Sequence, residues 1–143
     1  ARAAGGQDAP KDAGRICGPA AYSGQGKAFK ESVALLTGEC KNVVTLALEK
    51  NDNSEEFREK MEEGIKQVDQ GDGVILFTDV LGGTPSNMAT LLARKNQLYC
   101  MTGVNLPMII EFVMSVSDQL TLQELVDKCY EAAIIGVKIT NKL

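Results

Sequence analysis

The chain has 143 residues, 44% hydrophobic and 24% charged, which is ordinary for one soluble globular domain able to bury its own core. With 15 basic against 19 acidic residues the net charge is −4, so charge gives no basis for binding nucleic acid or an anionic membrane surface. No apolar run approaches the ~18 residues of a membrane span, residues 1–14 hold no signal-like apolar stretch, and direct membrane insertion is not expected. Cys17, Cys40, Cys100 and Cys129 lie far apart, with no C-x-x-C pair and no His to complete a zinc site. They read as free thiols in a reducing cytoplasm, and no metal or cofactor is expected.

Residues 1–22 are atypical, with seven Ala, four Gly and two Pro and few larger apolar side chains. The spacing of Phe29, Val33 and Leu36 predicts a helix over 28–36, with Gly38 as its stop. Residues 43–48 (Val-Val-Thr-Leu-Ala-Leu) read as a strand, rich in β-branched side chains. A helix to about Gln70 follows, with Phe57, Met61, Ile65 and Val68 on one face. The run Val74, Ile75, Leu76, Phe77 reads as a strand covered on both faces. Residues 84–95 form a predicted helix with Pro85 in its first turn, and residues 98–101 another short strand. A helix through Met114 comes next, then one opened by the capping-box pattern Thr121-Leu122-Gln123-Glu124. Residues 137–140 are predicted to close the chain as a short edge strand. Strands alternating with helices indicate an α/β fold, a three-layer sandwich around a mostly parallel sheet. Such a fold begins with a buried strand, and nothing in residues 1–22 resembles one, since Pro19 cannot serve a central ladder. A division into an atypical segment 1–22 and a domain 23–143 follows.

The chemistry concentrates in Phe77-Thr78-Asp79-Val80-Leu81-Gly82-Gly83-Thr84-Pro85-Ser86-Asn87. An apolar strand runs into an acid, a two-glycine turn and a hydroxyl placed as a helix N-cap. In parallel sheets ligands bind beyond the carboxyl ends of the strands, where Asp79 falls. Glycine permits the tight turn, and free N–H groups at a helix start favour an anion. A carboxylate beside an anion repels it unless it orients a cation or an imidazolium, so Asp79 implies a missing partner. The competing reading is a plain strand-to-helix turn, with Asp79 bonding only to loop amides.

Residues 78–87 resemble the motif that follows the third strand of mannose-family IIA domains of the bacterial sugar phosphotransferase system. Thr102-Gly103-Val104-Asn105-Leu106-Pro107-Met108 resembles a second motif of that family, and residues 32–38 resemble the end of its first helix. The resemblance implies a phosphoryl relay in sugar uptake. A histidine at the end of the first strand takes phosphate from the histidine phosphocarrier protein and passes it to a IIB domain. By the same resemblance Asp79 orients that imidazole, while Gly83 and Thr84 bind the phosphoryl oxygens. It also implies a homodimer in which residues 137–140 pair with the partner's sheet.

The chain departs from the pattern at its centre, because it contains no histidine. Counting back from Gly38 places Tyr22 at the histidine position, and a one-residue shift places Ser23 there. A phosphohistidine is a high-energy donor, whereas a tyrosine or serine phosphoester would trap the group. Tyr22 and Ser23 therefore read as ordinary loop residues, and this form of the chain as inactive in transfer. The segment before Gly24 is open to three readings: a frame change, a cloning junction or a mis-called start. Two further alternatives are a non-catalytic binding or regulatory module with the IIA fold, and an unrelated anion-binding α/β protein. The last requires the motifs at Asp79 and Asn105 to lie far apart.

Overall fold

A computed structural model of the chain describes residues 35–36, 43–48 and 51–143. Helix α1 spans Ser54–Val68. Asn53 caps it, its side chain accepting from the Glu55 N–H at 2.9 Å, and Glu55 and Glu56 place negative charge at the positive end of the helix dipole. Phe57, Met61, Ile65 and Val68 recur at helical spacing and are all buried, as their periodicity predicts. The chain then turns through Gly71 and Gly73, at φ +98° and +88°. A Cβ on Gly73 would stand 2.7 Å from a Leu122 methyl carbon, so the turn needs glycine for conformation and for space.

Strand β1 is Ile75–Phe77 and β2 is Tyr99–Met101, paired parallel with Ile75 opposite Tyr99 and Phe77 opposite Met101. Helix α2, Thr84–Asn96, connects them. Its end is set by Gln97 in the left-handed conformation at φ +56°. Helix α3 is Leu106–Ser115 and helix α4 is Leu122–Ile135. The capping box that opens α4 is complete, with Thr121 Oγ1 accepting from the Glu124 N–H and Glu124 accepting from the Thr121 N–H. Among the described residues no helix is long and apolar enough to cross a membrane.

Alternation along β1 divides the core. Ile75 and Phe77 join Met108, Ile109, Phe112, Leu125 and Cys129 on the side of α3 and α4. Val74 and Leu76 join Phe57, Met61, Ile65, Ala89 and Leu92 on the side of α1 and α2. The α/β class and the parallel pairing predicted from the sequence hold, and helices pack on both faces. The Phe77 and Phe112 rings meet edge to face, centroids 5.5 Å apart at 74°.

Two predicted strands are corrected. Residues 43–48 run without strand assignment. Their side chains still divide as an extended chain would, Val43 into the α3/α4 core and Val44, Leu46 and Leu48 against the other. Residues 137–139 are likewise not a strand, and a 3₁₀ turn, Thr140–Lys142, follows. Within the single chain Val137 N–H bonds to Ile134 O and Ile139 O accepts from Lys142 N–H; the expected pairing of 137–140 with a partner's sheet belongs to the proposed homodimer. Of the predicted helix 28–36, Leu35 and Leu36 are described and are helical. The segment 1–22, Tyr22 and Ser23 lie outside the described residues.

Two consequences are measurable. Phe112→Ala should cost about 3–5 kcal/mol in chemical denaturation, the range for a buried ring removed from a packed core. Cys129 is fully buried, and desolvation, helped by the nearby charge of Glu111, pushes its thiol from about 9.0 up to about 12. Folding therefore favours the protonated thiol; this contribution is complete below pH 9.0 and is lost as pH rises through about 12. Residue-resolved alkylation at pH 8 should be slow at Cys129 in the native protein and fast after denaturation.

Candidate functional site

The site begins where the two strands end. Thr78 N–H donates to Met101 O at 2.8 Å, continuing the ladder one residue beyond β1. The two chains then hold each other as loops, with Val104 N–H on Thr78 O at 3.0 Å and Gly103 N–H on Asp79 O at 2.9 Å. Gly103 makes this approach at φ +72°. The two motifs singled out in the sequence, about 25 residues apart, are thus joined through backbone hydrogen bonds.

Asp79 is half-buried at the carboxyl end of β1, and its Oδ1 accepts from the Val80 N–H at 2.7 Å. Among the described residues no side chain donates to its other carboxylate oxygen. The loop continues through exposed Val80 and Leu81 to Gly82 at φ +86°. Asn87 straps the turn from the helix side, its Nδ2 donating to Gly82 O at 3.3 Å and its N–H to Gly83 O at 2.9 Å.

The N-cap of α2 is Gly83, which has no side chain to accept from the first-turn amides. Thr84, expected from the sequence as the hydroxyl cap, is instead the first helical residue and is exposed. One register step decides this: Gly83 already takes the extended conformation of a cap, at φ −71° and ψ 160°, so Thr84 enters the helix. The first turn contains no acidic residue, so nothing neutralises the positive end of the helix dipole. A helix start without a side-chain cap and the exposed Thr84 hydroxyl make an end suited to an anion, beside a carboxylate-bearing loop. In the same region the Ser86 hydroxyl is buried without a hydrogen-bond partner among the described residues, and the buried Thr78 hydroxyl lies against the Cys100 thiol.

Of the residues singled out from the sequence, Asp79, Gly83 and Thr84 share this loop and helix start. Tyr22 is not among the described residues. Asn105 joins this region to α4, a role that the sequence reading did not give it. It caps α3, with its Oδ1 accepting from the Met108 N–H at 3.1 Å, and its Nδ2 donates to Ala133 O in α4 at 3.0 Å. An Asn two positions before a Pro was the available signal for the cap, while the bond to α4 left no trace in the sequence.

The family described as "PTS system fructose IIA component" (EIIA-man) matches residues 23–130. The chain belongs to the mannose family of IIA domains. This IIA domain is 31% identical to the fructose-specific EIIA component of Bacillus subtilis over 70% of the chain and 68% of that protein. It is also 31% identical to the mannose-specific EIIAB component of Escherichia coli, over 76% of the chain but only 34% of that longer relative. Among solved structures, EIIA from Streptococcus agalactiae superposes with TM-score 0.81 at 23% identity, covering 90% of this chain and 98% of that one. A sigma-54 interaction domain protein from Enterococcus faecalis shares the fold at TM-score 0.71 and 10% identity, covering 89% and 97%.

The two glycines of the turn should respond differently to substitution. Space is open around Gly82, so Gly82→Ala should cost about 1 kcal/mol from its left-handed backbone alone. Gly83 has an ordinary negative φ and only loose neighbours, and Gly83→Ala should be near neutral in the same denaturation assay.

Proposed function

We propose that this chain is the IIA component of a bacterial sugar phosphotransferase system, retaining the phosphoryl-binding loop but transferring no phosphate in this form. The observation that carries the reading is the union of Asp79, Gly83 and Thr84 on one loop and helix start, in a chain with no histidine. Asp79 presents a carboxylate oxygen with no side-chain donor among the described residues, as the orienter of an absent imidazole would. The α2 amides and the Thr84 hydroxyl supply the positive potential that a phosphoryl group needs. Preorganised electrostatics stabilise such a group in flight; they do not replace the nucleophile that carries it.

The partners in this reading are the histidine phosphocarrier protein as donor and a IIB domain as acceptor, in the cytoplasm. An E. coli relative whose name joins A and B components supports the second. A homodimer belongs to the same proposal. Ile134, Ile135, Val137, Ile139 and Leu143 are exposed together at the C-terminal end, more apolar surface than a solvated helix end and tail require. The division between residues 1–22 and 23–143 also stands as proposed. A second reading, a regulatory module that binds partners without transfer, draws on the same lack of histidine. It is favoured further by the occurrence of this fold in a protein titled for sigma-54 interaction.

Incubation with phosphoenolpyruvate, enzyme I and the phosphocarrier protein should leave the chain without an acid-labile phosphoryl adduct by mass. An acid-labile adduct would overturn the inactive assignment. An acid-stable one at Tyr22 or Ser23 would mark a dead-end ester.

A further inference from the structure

We propose that Asn105 is a positioning residue for the Asp79 loop, acting through the backbone of residues 103–104. The proposal deepens the reading of that loop as a phosphoryl site and rests on it for its functional meaning. Capping α3 needs only an acceptor, which Asn105 supplies through Oδ1 to the Met108 N–H at 3.1 Å. Its Nδ2 adds a bond that capping does not need, reaching Ala133 O at 3.0 Å across 28 residues of sequence. Aspartate would cap α3 equally well but has no donor, and serine lacks the reach. The same end of α4 closes on α3 without slack, since a Cβ on Gly136 would collide with the Pro107 ring. Asn105 is therefore pinned to α3 by one atom and to α4 by another.

Immediately upstream lie the two donors that hold the opposite loop, Val104 N–H on Thr78 O and Gly103 N–H on Asp79 O. Peptide geometry leaves little play over so short a stretch, so displacement of Asn105 displaces both donors. The Asp79 loop has few other restraints. Val80 and Leu81 are exposed and Gly82 has open space around it; the other ties among the described residues are Val80 N–H on Asp79 Oδ1 at 2.7 Å and Asn87, by Nδ2 to Gly82 O at 3.3 Å and by N–H to Gly83 O at 2.9 Å. The position of the carboxylate thus depends on a side-chain amide in the other motif that does not touch it.

The test is native-state hydrogen exchange on Asn105→Asp, which keeps the cap and removes the donor. Asn105→Ser, which keeps a cap and shortens the side chain, serves as the second variant. Losing one net hydrogen bond should raise exchange at the Gly103 and Val104 amides about tenfold, with a smaller rise at Ile75 and Leu76. An equal rise at all four amides would show only lost global stability and overturn the proposal, as would no rise at Gly103 and Val104. A titration with inorganic phosphate, followed at the Gly83 and Thr84 amides, supplies the functional readout. Shifts in the parent chain that weaken in the variants support positioning, and shifts unchanged in the variants overturn it. No response in the parent chain would instead sink the phosphoryl-site reading, while the exchange data still decide whether Asn105 holds the loop.

Discussion

The parallel pairing of β1 with β2 does not stop at the last assigned residue of either strand. It continues through Thr78 N–H to Met101 O, then passes into the paired loops through Val104 N–H to Thr78 O and Gly103 N–H to Asp79 O. Everything that gives the molecule a site depends on this extension. Without it Asp79 would be one residue of a glycine-rich surface loop with an exposed Val80 and Leu81 beside it. With it, the carboxylate is referenced to the most buried strand of the described fold, in which Ile75, Leu76 and Phe77 are all inaccessible to solvent.

The core explains why that reference is rigid. Alternate side chains of β1 enter two separate apolar clusters, so the strand cannot slip by one residue without exchanging its entire packing. The helices that flank the site have different tasks. α2 begins without a side-chain cap, and the burial of Pro85 and Ser86 anchors its first turn while Thr84 stays exposed. α3 and α4 instead close on each other through Asn105, Pro107 and Gly136, and through the Lys128 ammonium, which reaches Glu111 at 3.5 Å and the Ser115 hydroxyl at 3.2 Å. One helix offers charge and the other pair supplies stiffness.

In the function proposed above, this arrangement would separate the two halves of a phosphoryl relay. Binding the anion would depend on backbone dipoles and a hydroxyl of the loop and α2, without a catalytic base. Carrying the phosphate depends on one nucleophile, and the chain has no imidazole to act as one. The Ser86 hydroxyl in the first turn of α2 is buried without a partner among the described residues, and a buried polar group left unpaired costs stability that a fold tolerates at few places.

Local pattern was enough for the helices and for β1. Phe57, Met61, Ile65 and Val68 repeat at helical spacing, Thr121 and Glu124 spell a capping box, and a short apolar run between glycines and an acid is too short for a helix and reads as a covered strand. The same pattern reads residues 43–48 and 137–140 as strands, and within the single chain neither segment is one. It also placed the cap of α2 one residue late, since nothing in the composition of Gly-Gly-Thr reveals which residue first turns helical. By itself the sequence determined the helices, the buried strand, the two motifs and the missing histidine, because each is written in neighbouring residues. Only the tertiary structure decided that Gly103 and Val104 hold the Asp79 loop and that Asn105 reaches Ala133. Those are bonds between groups far apart along the chain, and they exist only where folding brings donor and acceptor within 3.0 Å of each other.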